Sequence, residues 1–224
     1  MNDMLLFDLD GTLVDTTDLI LQSFAWAFDV HLPGRLPSRR DLVATFGRSL
    51  PAALRELAAE QGAADPEALA AEMLVTYRDF QRLHHDTLIQ PFPGIGDALA
   101  ALHAEGHRLG VVTSKMERFA RRGMALFDLE RYFDVAVFHD DVTRHKPHPE
   151  PLLEAARRAG VDPSAAIYIG DSTHDIVAGR AAGMRTAAVL WGPFDREVLD
   201  AAGPDALVSA PADLVRLPER LPRQ

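Results

Sequence analysis

Two aspartates, Asp8 and Asp10, directly follow the first apolar run of the chain, at residues 5–7. Side chains two positions apart at a strand end project from one face, so both carboxylates would meet in one place. Two like charges about 4 Å apart repel by about 4 kcal/mol at an effective dielectric of 20, which a divalent cation such as Mg²⁺ would offset. A simple turn, with Gly11 supplying the unusual backbone angle, explains the same residues equally well.

A second pair of aspartates follows a later apolar run, at residues 166–170. Asp171 would end that strand, and Asp175 would lie in the first turn of the next helix. An acid at a helix N-terminus is stabilised by the helix dipole, so Asp175 also has a structural explanation. Ser172 or Thr173 could cap that helix without Asp171. Four acids from two strand ends would together form a divalent-cation site.

Three further positions carry groups suited to an anion. Thr113 and Ser114 end a predicted strand, and residues 114–117 match a capping box, which predicts that Ser114 caps the next helix while Thr113 keeps its hydroxyl for a ligand. The helix N-terminal amides at that turn offer an anion site. Lys146 lies in a loop held by prolines and is interpreted as a fixed counter-charge for phosphate and carboxylate groups.

Apolar runs without polar alternation recur along the chain, which is typical of strands buried on both faces of a sheet. Helix-period segments lie between them, and the alternation predicts an α/β fold with a doubly wound parallel sheet. The predicted strands are at residues 5–7, 109–113, 135–138, 166–170, 186–190 and 206–208. The predicted helices are at residues 95–105, 115–126, 150–159, 174–182 and 194–202.

The segment 15–92 breaks this alternation. It is rich in Ala, Leu, Glu and Arg at helical spacing, which predicts an inserted all-α domain of four or five helices directly after the first strand. The predicted domains are therefore a sheet domain of residues 1–14 and 93–224 and a helical domain of residues 15–92. The last eight residues, 217–224, are expected to fray.

The composition excludes several classes of protein. The 224 residues are 47% hydrophobic and 25% charged, as in a globular chain with a sizeable core. A net charge of −10 disfavours general binding to nucleic acid or membranes. The absence of cysteine excludes disulfides, thiolate zinc sites and a cysteine nucleophile. Neither a signal peptide nor an apolar run of about 20 residues is present, so a cytoplasmic location is expected.

Four motifs, taken in order, resemble those of the haloacid dehalogenase (HAD) superfamily of phosphohydrolases. They are the segments 8–13, 112–115, 146–147 and 170–175. The helical insert resembles the type C1 cap of that superfamily. Segments 92–94, 141–143, 146–151 and 191–192 are most similar to the phosphoglycolate phosphatase branch and to its bacterial pyrophosphatase relative, and segments 77–80 and 84–86 favour the latter.

The resemblance implies a role for each acid. Asp8 would be the nucleophile that forms an aspartyl-phosphate, and Asp10 would protonate the leaving oxygen and then activate water. Asp8, Asp10 and Asp171 would hold Mg²⁺, Asp10 through its backbone carbonyl. Asp175 would be a further metal ligand or an orienting group.

The resemblance also implies the remaining contacts. Thr113 and Lys146 would hold the phosphoryl oxygens, joined by the backbone amides of Leu9, Gly11 and Ser114. The cap would close over the site and exclude water. Within it, Arg48 would either bind a second anionic group of the substrate or be an ordinary surface arginine. The roles of His84 and His85 stay open.

The expected function is that of an Mg²⁺-dependent phosphatase acting on a small phosphorylated metabolite, with 2-phosphoglycolate first and inorganic pyrophosphate as the alternative. A sugar-phosphate mutase and a non-enzymatic phospho-accepting receiver are less favoured. Receivers are shorter and carry the phosphorylated aspartate on a middle strand. No nucleic-acid or membrane partner is expected. Monomer or homodimer, and Mg²⁺ or Mn²⁺, stay open.

Overall fold

The computed structural model of the chain describes residues 3–222. In chain order the strands are β1 (Met4–Phe7), β2 (Val14–Asp15), β3 (Gln90–Pro91), β4 (Arg108–Val112), β5 (Val135–Val137), β6 (Ala166–Gly170), β7 (Arg185–Val189) and β8 (Ala206–Val208). The helices are α1 (Thr17–His31), α2 (Arg39–Val43), α3 (Leu50–Glu60), α4 (Pro66–His84), α5 (Ile95–Ala104), α6 (Glu117–Leu126), α7 (Glu150–Ala159), α8 (Thr173–Ala181), α9 (Arg196–Ala201) and α10 (Leu217–Arg220). Within the described range, none of them has the length and apolar character needed to cross a bilayer.

The chain separates into two compact units. One unit comprises the N-terminal segment up to Asp15 together with the chain from Gln90 onward. The other unit is the helical segment Thr16–Ile89.

The first unit contains a six-stranded sheet in the order β5-β4-β1-β6-β7-β8, and every strand pair in it is parallel. The chain leaves β1 toward β4 and β5, then returns on the other side of β1 with β6, β7 and β8. The direction therefore reverses beside β1, which is where ligands bind in sheets of this kind. The predicted α/β fold and its six strands are confirmed.

Burial explains why these strands read as continuous apolar runs. All four residues of β1 and all five of β6 are buried. On one face, Leu6 and Tyr168 pack in a cluster with Leu152 of α7 and Ala178 of α8. Both faces of the central strands are covered, so polar alternation would place polar groups in the core.

A two-stranded antiparallel ribbon of β2 and β3 was not predicted. Val14 pairs with Pro91 and Asp15 with Gln90, and the Phe92 amide donates to the Leu13 carbonyl over 3.3 Å. The ribbon joins the point where the chain leaves the sheet unit to the point where it returns. Strands of two residues are too short to produce a periodic pattern in the sequence.

The helical unit contains α1–α4 and a short 3₁₀ turn at His85–Thr87. Helix α4 packs against both α1 and α3. Phe24 and Tyr77 meet edge to face with ring centroids 5.1 Å apart, and Leu54 and Met73 are fully buried. The apolar stripes of these helices therefore form a small core of their own.

The end of the chain departs from the expectation that it frays. Leu217, in α10, is fully buried beside buried Leu214, and the Arg185 guanidinium donates to the Leu221 carbonyl. Two leucines three positions apart anchor this end to the sheet unit, so the expectation was wrong for residues 217–221. Residues 223 and 224 lie outside the described range.

Candidate active site

The carboxyl ends of three neighbouring strands carry the polar residues singled out above. Asp8 follows β1, Thr113 follows β4 and Asp171 follows β6. Phe7 of β1 is in register with the second-to-last residues of β4 and β6, so these side chains lie at one edge of the sheet. The sheet order therefore brings together residues that are about 60 to 160 positions apart in the sequence.

The turn after β1 closes on itself. The Leu9 carbonyl accepts from the amides of Leu13 and Val14 at 2.9 and 3.0 Å, and the Gly11 amide donates to the Val14 carbonyl at 2.8 Å. The role predicted for the Gly11 amide, binding phosphate oxygens, is therefore not supported, because that donor serves the turn. Gly11 has a φ of +80°, and a Cβ there would lie 2.3 Å from Asp171 Oδ2. The turn thus needs glycine for its backbone angle and for room beside Asp171.

Three carboxylates converge at this edge. Asp8, Asp171 and Asp175 each offer an oxygen, and these atoms all lie within 4.8 Å of one another. The Asp10 carboxylate is not in this cluster, because its Oδ1 lies 2.7 Å from Nζ of Lys115. Because β1 ends before Asp8 and the chain turns there, strand alternation does not set the directions of these two side chains. The charge of Asp10 still acts on Asp8 and works to raise its pKa.

Lys146 supplies the positive charge of the cluster. Its Nζ lies 2.7 Å from Asp175 Oδ1, 3.0 Å from Asp8 Oδ1 and 3.0 Å from the Tyr168 hydroxyl. Burial works to lower the pKa of Lys146, but the charges of Asp175 and Asp8 outweigh it and hold that pKa well above the usual value. The ammonium is therefore charged throughout the physiological range and faces the two acids.

The carboxylate of Asp175 is fully engaged by the protein. Its Oδ1 accepts from Lys146 and the Tyr168 hydroxyl, and its Oδ2 accepts from the Ser172 amide at 3.0 Å and hydroxyl at 2.6 Å. Ser172 caps α8, as expected, in a reciprocal capping box with Asp175. Burial works to raise the pKa of Asp175, but Lys146 and the hydrogen bonds from Ser172 together outweigh it, so the pKa lies below its usual value. With four donors in place, Asp175 is suited to orienting its neighbours.

The negative charges of Asp8 and Asp171, by contrast, are only partly offset by neighbouring donors and cations. Burial raises the pKa of Asp8 to about 7, although Lys146 opposes the shift. Burial, together with the charges of Asp175 and Asp8, holds the pKa of Asp171 well above the usual range, and Thr12 donates one hydrogen bond over 3.2 Å. Among the described residues no well-directed donor reaches buried Asp8 Oδ1, although the Lys146 ammonium lies 3.0 Å from it.

These features fit a divalent cation. Three buried acids against one ammonium leave an excess of negative charge, and among the described residues Asp8 Oδ1 is ion-paired with Lys146 but accepts no hydrogen bond. Oxygen ligands without nitrogen or sulfur suit Mg²⁺ or Mn²⁺. Asp8 and Asp171 would hold the ion directly, and Asp175 would keep Lys146 and the start of α8 in position.

The turn after β4 differs from the predicted capping box. Helix α6 begins at Glu117, three residues beyond Ser114, and its first amide donates to Asp140 Oδ2 at 2.8 Å. An acid from a distant segment thus replaces Ser114 as the group that satisfies this helix end. Thr113 is buried, and its Oγ1 accepts from the Lys115 amide at 3.2 Å. The Thr113 hydroxyl proton can therefore be donated to an anion.

Arg48 has an anionic partner within the helical unit. Its guanidinium donates to Glu56 of α3 over 2.6 Å, and this hydrogen bond raises the pKa of Arg48. Its predicted contact with a substrate stays a prediction.

Sequence reasoning gave no role to three residues that now contact the site. The Tyr168 hydroxyl joins Lys146 and Asp175 to the carbonyl of Val112, which lies 3.0 Å away. Thr12 donates to Asp171, and Lys115 pairs with Asp10. For Tyr168 a signal was available, since a hydroxyl in a fully buried apolar run needs a polar partner. The sequence patterns placed Lys115 in the capping box and in the motif 112–115, without a role for its ammonium.

Several known proteins are similar to this chain over most of its length. The family model described as haloacid dehalogenase-like hydrolase matches residues 5–189. A relative named pyrophosphatase PpaX, from Halalkalibacterium halodurans, is 37% identical over 210 residues, which are 94% of each chain. A hydrolase from Pseudomonas syringae has a TM-score of 0.85 at 25% identity, covering 98% of this chain and 99% of its own. A predicted phosphoglycolate phosphatase from Haemophilus somnus has a TM-score of 0.82 at 25% identity, covering 96% and 97%.

The chain belongs to the haloacid dehalogenase-like hydrolase family. The family and the general class of reaction, that of a phosphohydrolase, are as predicted from the motifs.

Proposed function

We propose that this protein is an Mg²⁺-dependent phosphohydrolase that transfers the phosphoryl group of a small substrate to Asp8 and then to water. The observation that carries the proposal is the position of Lys146, whose ammonium contacts both Asp8 and Asp175 at the sheet edge where three carboxylates converge. A nucleophile beside a fixed cation is the arrangement that phosphoryl transfer requires, because negative charge accumulates on the phosphoryl oxygens.

In the first step a carboxylate oxygen of Asp8 attacks phosphorus and forms an acyl-phosphate bond. The bond from phosphorus to the leaving oxygen breaks, and its electron pair stays with that oxygen. Asp10 donates a proton to the leaving oxygen, which then departs as a neutral hydroxyl or a protonated phosphate. Asp10 is suited to this task because it is outside the carboxylate cluster and partly exposed.

In the second step water attacks the phosphorus of the aspartyl-phosphate. Asp10 takes a proton from that water, the bond between phosphorus and Asp8 breaks, and inorganic phosphate leaves. Splitting the reaction in this way replaces one very slow hydrolysis by two easier displacements. The carboxylate of Asp8 and the proton on Asp10 are both regenerated, so the cycle balances.

The surrounding residues hold the reacting groups in place. Thr113 can donate its hydroxyl proton to a phosphoryl oxygen, and Lys146 supplies charge. A bound Mg²⁺, held by Asp8 and Asp171, would neutralise the excess acid charge and draw the phosphate toward it. We further propose that the helical unit is the cap domain of this family.

Two small anions are the preferred candidate substrates. Inorganic pyrophosphate comes first because a relative of 37% identity over nearly its whole length is named a pyrophosphatase. Phosphoglycolate, the first expectation from the motifs, comes second, since two structural relatives are named for that activity. Both are small and carry a second anionic group beside the phosphoryl group that is transferred.

The test is multiple-turnover phosphate release from pyrophosphate, phosphoglycolate, a sugar phosphate and acetyl phosphate, with and without Mg²⁺. We expect metal-dependent turnover of one two-anion substrate, reduced at least about 10³-fold in Asp8→Asn. The exposed Asp200→Asn variant is the matched control and should behave as the parent protein. One phosphoryl group bound per chain without turnover would overturn the hydrolase proposal and favour a mutase or a receiver.

A further inference from the structure

The chain contains only two lysines among its 23 basic residues, and both contact acids of the site. Lys146 contacts Asp8, and Lys115 contacts Asp10. Every other basic residue is arginine. An ammonium is a compact charge with three donors on a flexible stem, whereas a guanidinium is a rigid planar fork. The restriction of lysine to these two positions suggests that a compact, adaptable cation is needed at each.

The two lysines differ in access. Lys146 is enclosed between acids, with a side chain that is 1% exposed. The side chain of Lys115 is 9% exposed and that of its partner Asp10 is 24% exposed. Their ion pair, 2.7 Å long, is therefore at the open margin of the site rather than inside it. A ligand that enters the site can reach the ammonium of Lys115 without unpacking the core.

The backbone of Lys115 is fixed while its side chain is adaptable. Its amide donates to Thr113 Oγ1 at 3.2 Å, and its carbonyl accepts from the His139 amide at 3.1 Å. The residue thus belongs to the same turn as Thr113, which is expected to hold a phosphoryl oxygen. Only the four-carbon stem has to move for the ammonium to change partners.

In the resting pair, Asp10 Oδ1 accepts from the ammonium of Lys115. The ammonium occupies Oδ1 and leaves only the other carboxylate oxygen to approach a leaving oxygen or a water. Freeing both oxygens of Asp10 for proton transfer requires that the ion pair lengthens or that another anion takes the ammonium. The second anionic group of a pyrophosphate or phosphoglycolate molecule is such an anion.

We propose that Lys115 recognises the second anionic group of the substrate, and that this exchange of partners frees Asp10 for proton transfer. The proposal rests on the proposed function, which assigns the acid–base role to Asp10. Lys115 would then be both a specificity-determining residue and a positioning residue for Asp10. Phosphate esters with no second anion would leave Lys115 bonded to Asp10.

The test compares Lys115→Met with the parent protein on two kinds of substrate. Pyrophosphate and phosphoglycolate carry a second anion, whereas p-nitrophenyl phosphate does not and has a leaving group that needs no proton. We expect kcat/KM for the two-anion substrates to fall 10- to 100-fold, with p-nitrophenyl phosphate changed less than threefold. Arg118→Met, an exposed change in the same segment, should alter neither value.

An equal loss on all substrates would overturn the inference and reduce the Lys115–Asp10 pair to a structural contact. If the parent protein turns over p-nitrophenyl phosphate but neither two-anion substrate, the inference fails while the hydrolase remains. If the parent turns over nothing, the proposed function itself fails.

A second measurement does not depend on the folding of Lys115→Met. Labelling lysine with ¹³C at Cε yields two side-chain signals, because the chain has two lysines. In Asp8→Asn with Mg²⁺, saturating pyrophosphate should shift the signal of the more exposed lysine, and p-nitrophenyl phosphate should not. If the chemical shift of Lys115 stays unchanged on addition of pyrophosphate while that of Lys146 changes, the inference is overturned.

Discussion

Lys146 and Asp175, 29 residues apart in the chain, form a buried ion pair with Nζ 2.7 Å from Oδ1. The side chains are 1% and 0% exposed. A charge this deeply buried is tolerated only with a partner of opposite sign, so each residue depends on the other. The pair connects the loop before α7 to the first turn of α8, and in doing so it aims the ammonium at Asp8.

Removal of the ammonium should therefore destabilise the protein strongly. Lys146→Met leaves buried carboxylates without a counter-charge, and we expect a loss of about 3–5 kcal/mol in the free energy of unfolding in EDTA. Turnover should fall at least about 10²–10³-fold. The double variant Lys146→Met with Asp175→Asn should recover part of the stability and none of the activity. Urea unfolding of the single and double variants measures this coupling, and additive losses would contradict it.

The pKa of Asp8 predicts a specific pH dependence of stability in the metal-free protein. Burial raises that pKa to about 7, so between pH 4 and 7 the folded state keeps a proton that the unfolded state releases. The contribution of Asp8 to the free energy of unfolding is fully present below about pH 4 and is lost as the pH rises toward 7. At about 1.4 kcal/mol per pH unit, the loss amounts to about 4 kcal/mol.

The matched comparison is Asp8→Asn, which cannot titrate. In EDTA the free energy of unfolding of the variant should rise relative to that of the parent protein as the pH increases from 4 to 7. Added Mg²⁺ should make this relative rise smaller. Chemical unfolding at several pH values measures both curves. Parallel curves would show that Asp8 titrates normally in the folded state.

Gly192 should be intolerant of a side chain because it lies against Asp171. A Cβ at Gly192 would lie 2.5 Å from Asp171 Cβ and 3.0 Å from the Gly11 carbonyl. We expect Gly192→Ala to displace Asp171, to cost about 1–3 kcal/mol and to weaken the stabilisation by Mg²⁺. Gly96→Ala in α5, where nothing lies within 4 Å, is the control and should be neutral or slightly stabilising. Tm measured against Mg²⁺ concentration distinguishes Gly192→Ala from Gly96→Ala. If Mg²⁺ raises the Tm of Gly192→Ala as much as that of the parent protein, the prediction is refuted.

The Tyr168 hydroxyl should contribute to the rate more than to substrate binding. It contacts Lys146, Asp175 and the Val112 carbonyl, so Tyr168→Phe removes the single O–H that the last two acceptors share and one acceptor from the ammonium. We expect a stability loss of about 1–3 kcal/mol and a fall in kcat of about tenfold or more, with KM little changed.

Tyr132→Phe is the matched control, since the Tyr132 hydroxyl accepts only a surface hydrogen bond from Arg131 among the contacts described. That variant should retain the parent kcat and stability within about 0.5 kcal/mol. A rise in KM at constant kcat in Tyr168→Phe would mean that the hydroxyl acts in ground-state binding instead.

Local signals in the sequence were enough to determine the fold class and the membership of the family. The six strands of the main sheet are continuous apolar runs because both their faces are covered, and the observed bounds of β6 and β8 equal the predicted ones. Ser172 followed by Asp175 is a pattern contained within four residues, so its capping box could be recognised without the rest of the chain. The motif acids at strand ends could be placed at one edge once the sheet was known to be parallel.

Contacts between distant segments decided the remainder. The separation of Asp10 from the carboxylate cluster depends on Lys115, and the start of α6 depends on Asp140, which satisfies the first amide of that helix. Tyr168 acquires its partners only when β4, β6 and α8 pack together. No periodicity encodes such contacts, since their energy comes from groups tens of residues apart that meet only after the sheet has formed. The sequence by itself thus determined the strands, the order of the motifs and the kind of chemistry, and the tertiary structure decided which acid faces which cation.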